Sequence, residues 1–397
     1  MEKKKASPQN GIPLYFGVMC LIQFVSQVCN GSQGVLLSDH IAFYSLTSAA
    51  QGAISTCQSA GAAIAVVSLI FLSGRLKNHT LILLSLVCVT AAMGLLSFAP
   101  PFAVMLLLYL VFGLGFGSIS SVTSAEVATL YPGDGGRMGI LHACFGVGGF
   151  AGPMLLQYIR SKRAWTGVCG ALFFMALFAL AFFTLVLGPG HARDKLALSV
   201  PSRKVHPADI RRYLSARRNW LLFLSIFGYS AFQNGFNIWI VRYFSNGLGF
   251  TGNAALALSL FWVANTVSRV LTPRLPLKTE ETLLYGFVAA SIAAAAGVLS
   301  GSPGVMFCCV VLAGLFSGAA IPQFYHLNAV YNPEIPLVAS SFTSIMMYVS
   351  WTVTAPITAL LTGGGNWRAG MLLISFYVLI GGLAMLPAVL RMKKGRA

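Results

Sequence analysis

The chain has 397 residues, and only 35 carry a formal charge, 26 of them basic and 9 acidic. Apolar residues make up 57% and the mean hydropathy is +0.78, more apolar surface than a soluble globule of this length could hide. Disorder is excluded by that hydropathy, and a collagen-like or disulfide-stapled secreted chain by the absence of a Gly triplet and by long apolar runs, which leaves a polytopic membrane protein.

A charge at the bilayer centre costs at least ~2.5–3.5 kcal/mol, so charges divide the spans. The long charge-free runs are 6–38, 40–74, 78–125, 138–159, 164–192, 219–241, 243–268, 282–333, 335–367 and 369–390. Most suit one helix, since a span needs about 20 residues. Two runs are too long for one helix. Pro100-Pro101 divides the third, and Gly301-Ser302-Pro303-Gly304 divides the eighth; both are turn chemistry. The expectation is an all-α protein of twelve transmembrane helices. A β-barrel is excluded because no strand-length alternation is present.

With the N-terminus in the cytoplasm, 21 Lys and Arg fall inside and five outside, which favours cytoplasmic termini. The net charge of +17 is then mostly this excess and calls for no nucleic acid. Lys3–Lys5 precede an apolar stretch too long for a cleavable signal, so it reads as a retained first span. The eight cysteines all fall inside predicted spans without CxxC or metal spacing, as small packing residues do. The polar stretch 188–219 opens with Gly188-Pro189-Gly190 and holds eight basic residues. It separates an N-terminal bundle (1–187) from a C-terminal bundle (220–397), six helices each.

The halves echo one another. Phe112-Gly113-Leu114-Gly115-Phe116-Gly117 faces Ala313-Gly314-Leu315-Phe316-Ser317-Gly318 at an offset of 201, and Pro132 faces Pro333 at the same offset. Gly152-Pro153 faces Ala355-Pro356 at 203. Parallel six-helix repeats with a midplane site between them are the architecture of major facilitator transporters.

Several segments resemble that superfamily, and within it the fucose-permease-like branch. Leu141-His142-Ala143-Cys144-Phe145-Gly146, followed by Gly152-Pro153, is similar to its Leu-His…Phe-Gly…Gly-Pro pattern. Tyr229, Trp239 and Tyr243 fall where the branch has Tyr, Trp and Tyr. Phe261-Trp262 with Ser268-Arg269 is similar to its Phe-Trp…Gly-Arg signature. The resemblance implies a sugar substrate. It also implies departures: Gly74-Arg75-Leu76-Lys77 lacks the acid of the superfamily's basic loop. Gly34 and Ser118 stand where fucose permeases carry proton-coupling acids, and Gln233 replaces a frequent Glu.

Gln23, Gln27 and Asn30 share one face of the first helix, as do Gln51, Ser55 and Gln58 of the second and Gln233 and Asn237 of the seventh. Intramembrane amides need partners; sugar hydroxyls are suitable ones, and interhelical bonding is the other use. The candidate substrate residues are Gln27, Asn30, Gln58, Gln233, Asn237, Trp262, Asn265, Tyr348 and Trp351. The aromatic members would stack on sugar faces or drug-like rings, or would pack between helices. Candidate gating or coupling residues are Glu126, Arg137 and His142, with a Glu126–Arg137 ion pair expected near the cytoplasmic ends of helices four and five. Asp39 is placed at the outer mouth of helix one. Gly115, Gly117, Gly148, Gly149, Gly152, Gly314 and Gly318 suit close helix approach.

The reading is a monomeric secondary transporter in the plasma membrane that moves a small neutral polyhydroxylated solute by alternating access. It needs no cofactor or metal. Efflux of amphipathic compounds and a non-transporting receptor or scaffold are the alternatives. Phosphate-loop, metal and nucleophile–base patterns are absent from the sequence, so no enzyme is expected.

Overall fold

A computed structural model describes residues 12–72, 76–131, 135–187 and 206–394. The N-terminal lysines, Gly74-Arg75, Pro132 and residues 188–205 of the expected linker lie outside them. The described chain is helical: α1 (Ile12–Tyr44), α2 (Ser48–Leu72), α3 (Asn78–Leu96), α4 (Phe102–Leu130), α5 (Gly135–Lys162), α6 (Trp165–Leu187), α7 (Pro207–Ser215), α8 (Arg217–Arg242), α9 (Ala255–Leu271), α10 (Thr279–Ser300), α11 (Pro303–Ser317), α12 (Ala320–Tyr331), α13 (Pro336–Gly363), α14 (Trp367–Leu383) and α15 (Leu386–Lys394). Helices are the form a spanning chain takes when lipid offers its backbone no partner.

Ten segments are long and apolar enough to cross a membrane. Two more helices complete twelve: α9, which has 17 residues, and α8, which carries Gln233, Asn234 and Asn237 along its length. The pairs α11–α12 and α14–α15 each make one span. The expected breaks are present. Ala99 takes a positive φ before Pro100-Pro101, and Gly301 does so before Pro303 opens α11.

The break between α11 and α12 was not expected from the sequence. Pro322 has no N–H to give the carbonyl of Gly318 one turn back. That oxygen accepts instead from Nε of Arg269, at 3.3 Å.

The repeat is visible in the contacts. In the N-terminal half Gly113 lies on Gln58 and Gly117 on Ala62; in the C-terminal half Gly314 lies on Phe261 and Gly318 on Asn265. Both pairs keep the offsets 201 and 203 read in the sequence. The halves meet along three seams, α1 with α8, α2 with α13, and α5 with α9.

Both described termini and α7 lie at one end of the bundle, the linker end. Pro207 begins α7 and the Asp209 carboxylate accepts from the His206 amide at 3.1 Å. Of the polar stretch 188–219, the described remainder is therefore mostly helix. Tyr213 of α7 donates to Asn328 (2.8 Å), and Arg212 pairs with Glu334.

Candidate functional site

The candidate residues fall into three groups where the halves face each other. In the first, α1 and α2 bring together Gln27, Asn30 and Gln58. Asn30 donates to Gln27 Oε1 at 3.2 Å and accepts from Gln58 Nε2 at 2.8 Å. Gln27 Nε2 and Gln58 Oε1 are buried without a partner. One donor and one acceptor are thus left over beside the same asparagine.

In the second group, on α8, Gln233 donates to the Tyr229 hydroxyl at 3.0 Å, and Asn237 Oδ1 has no partner. Asn234 donates to Ser55 across the seam at 3.3 Å. Gly34 of α1 lies against this part of α8: a side chain there would place its Cβ 2.2 Å from the Asn237 carbonyl oxygen. An acid at position 34, which the resemblance implies, would force α1 off α8. Ser118, at the other acid position, bonds only its own helix, at Leu114.

The third group is a string of rings from α9 to α13 through α5 and α4. Trp262 meets Phe145 (6.0 Å between centroids), Phe145 meets Phe116 (6.4 Å), Phe116 stacks on Trp351 (6.4 Å), and Trp351 meets Tyr348 edge-on (5.4 Å). Trp262 lies flat on α5 because position 149 is glycine; a Cβ there would be 2.6 Å from the indole. The indole N–H groups of Trp262 and Trp351 are buried without acceptors. Asn265 donates to Phe261 one turn back (2.8 Å), leaving its Oδ1 unpartnered. Phe116 and Phe145 were missing from the candidates, although both sit beside glycines in the motifs that carry the repeat and the resemblance. A ring next to a glycine was the available signal.

The gating residues are arranged differently from expectation. Glu126 is wholly buried and accepts from Asn78 Nδ2 at 2.8 Å and from Tyr15 at 3.4 Å. Arg137 lies over the Tyr131 ring, 3.7 Å from its centroid, and makes no ion pair with Glu126 among the described residues. The carboxylate of the expected pair is instead met by an amide from α3 and a hydroxyl from α1. His142 Nε2 lies 3.3 Å from Ser124 Oγ. Asp39 pairs with Arg160 of α5 at 2.5 Å, and the two charges neutralise each other.

A residue the sequence did not single out closes the end opposite the linker. Arg242 of α8 donates to Gln51 of α2 at 3.0 Å, with its guanidinium 5.1 Å from the Trp367 ring. Thr352 of α13 donates to Ser59 at 3.1 Å, and Thr56 to the Thr352 carbonyl at 3.4 Å.

The family profile described as Major Facilitator Superfamily matches residues 19–331. No curated protein sequence matches the chain. Among solved structures, nucleoside transporter NupG aligns with a TM-score of 0.72 at 11% identity, covering 94% of this chain and 98% of its own. Peptide transporter POT in complex with sulfate aligns at 0.75 and 15%, covering 95% and 94%. A bacterial homolog to the human lysosomal transporter Spinster, inward-facing and unoccupied, aligns at 0.71 and 14%, covering 96% and 98%.

Proposed function

The chain belongs to the Major Facilitator Superfamily, and from that premise we propose that it is a secondary transporter of a small, hydroxyl-rich organic solute of sugar size. The observation that carries this reading is the Gln27–Asn30–Gln58 network. It ends in one unpartnered donor and one unpartnered acceptor, the complement that a hydroxyl pair would satisfy. The ring string from Trp262 to Trp351 offers a flat apolar wall for the other face of a sugar. The fucose-permease-like branch remains the proposed subfamily. Positive-inside placement makes the linker end cytoplasmic. The described state is then closed outside.

Gly34 and Ser118 supply no titratable group at the two positions where the branch carries proton-coupling acids, and Gln233 replaces a frequent Glu, so we propose weak or absent proton coupling, with His142 as the fallback carrier. The ring string also favours a second reading, efflux of amphipathic compounds.

The test is uptake by purified protein in liposomes, with a sugar panel set against a drug panel. Saturable uptake of a hexose, with Asn30→Ala costing about 1–3 kcal/mol of binding, supports the first reading. Transport of drugs alone supports the second. Absence of any transport would leave a receptor or scaffold.

A further inference from the structure

The face of α9 that carries Trp262 also carries Thr266 and Arg269, at i, i+4 and i+7. α5 runs antiparallel to it. Gly149 meets Trp262 and Gly146 meets Thr266, so the same register, one turn further, sets His142 opposite Arg269. A helical side chain slants toward its own N-terminus, which carries the Arg269 guanidinium away from the linker end and into the bundle.

This guanidinium has a use for only one of its nitrogens among the described residues: Nε donates to the Gly318 carbonyl at the α11–α12 break. Its terminal N–H groups have no hydrogen-bond or ion-pair partner there. The six described carboxylates are all engaged elsewhere. Asp39 pairs with Arg160 and Glu334 with Arg212. Glu126 takes Asn78, Glu280 takes Tyr331, and Asp209 and Glu281 accept from backbone amides. Among the described residues, the titratable neighbours of Arg269 are His142 and Tyr229, neither of them an acid. Arg269 stands two residues before the end of α9 and is half-buried; a partly desolvated cation gains from a counter-charge, and the break at Pro322 holds it in place by one carbonyl.

We propose that Arg269 receives an anionic group of the transported solute, so that the cargo is a hydroxylated organic anion of the sugar-acid class rather than a neutral sugar. This rests on the transport reading and changes one part of it, the neutrality expected from the amides. The anionic head lies against the terminal nitrogens of Arg269, which suit a carboxylate bidentately. The hydroxylated body extends along α9 toward Trp262 and Phe145. Lysine would supply charge without the fork.

The experiment compares glucose with glucuronate, which differ at one carbon, in liposomes containing the full chain. The readout is the ratio of their half-saturation concentrations. The wild type is expected to favour glucuronate by about tenfold or more, the worth of a hydrogen bond to a charged group. Arg269→Gln is expected to bring the ratio to about one, with Arg269→Lys between the two. Equal handling of the two by the wild type would overturn the proposal, and so would an Arg269→Gln protein that weakens both equally. Carriage of glucose alone overturns it while leaving the transport reading intact. If neither is carried, both fall. Should Arg269→Gln not fold, the wild-type ratio and Arg269→Lys still decide.

Discussion

Hydrogen bonds between the halves run from Arg242 to Gln51, Asn234 to Ser55 and Thr352 to Ser59, all between the bundle centre and the end opposite the linker. At the linker end the described hydrogen bonds and ion pairs stay within one half. Glu126 holds Tyr15 and Asn78 in the first. Tyr213 holds Asn328, and Asn219 holds Asn332, in the second. The difference separates two jobs. Ties inside a half make each bundle a rigid body. Ties across the seam are mostly neutral and individually weak, worth about 1 kcal/mol each, so they can be exchanged for another set when the bundles rock.

The seam should break most sharply at Gly34. Gly34→Ala places a methyl 2.2 Å from the Asn237 carbonyl, and neither backbone can yield without moving its helix. Overpacking of this kind costs about 1–3 kcal/mol. We expect uptake in liposomes to fall to about a tenth or less and a cysteine placed at Ser55 to gain reactivity toward water-soluble reagents. Unchanged uptake would mean that α1 and α8 have more room than their contact implies.

Arg242 offers a smaller break at the same end. Arg242→Met keeps much of the stem that lies beside Trp367 and loses the bond to Gln51, at a cost of about 1–2 kcal/mol in the sealed state. Gln51→Ala in that background should add nothing measurable, because the two share one interaction. Labelling at Ser55 reports both variants. Additive effects would show that Arg242 acts through the Trp239 and Trp367 rings alone.

The linker end can be loosened without touching the seam. Glu126→Gln keeps the side chain's shape but gives the carboxylate's two neighbours a weaker acceptor, worth about 0.5–1.5 kcal/mol. Slower transport is expected, with substrate binding held within a few-fold. If binding were abolished, Glu126 would belong to the site instead of the rigid body.

The fold was legible because it follows from composition. Charges marked the loops, Pro100-Pro101 and Gly301–Gly304 marked the turns, and the glycine pattern of Phe112–Gly117 repeated as Ala313–Gly318. The amides were legible for a similar reason, since a polar residue stands out in an apolar run. What the sequence hid was partnership. Glu126 and Arg137 are close along the chain, yet the carboxylate is met by Asn78 from α3 and Arg137 by Tyr131. Phe116 and Phe145 are two of 28 phenylalanines, and only the crossing of α4, α5 and α13 turns them into a wall. Arg269 stood within the family-like signature as a motif letter. That no described carboxylate meets it follows only from where the other helices put their acids.

The smallest expected effect lies at the linker end, where Arg212 of α7 pairs with Glu334 in the α12–α13 connection. Both side chains are mostly exposed, at 61% and 65%, so the pair is screened by water and salt. The hydrogen bond from Arg212 still holds the Glu334 carboxyl below its ordinary value. The sign follows from linkage: a depressed carboxyl contributes its full share above the ordinary glutamate value, about 4.3, and loses it as pH falls through the lower folded value. A spin label at Ser215→Cys, at the end of α7, should therefore become more mobile only as pH falls below about 4.3. In Glu334→Gln the label should already be mobile at neutral pH and should respond little to acid. A wild-type label that ignores pH, or a Glu334→Gln label that keeps the full acid response, would show that α7 is held by Tyr213 and Asn328 alone. The linker helix would then be fixed to its half by neutral hydrogen bonds, like the contacts along the seam.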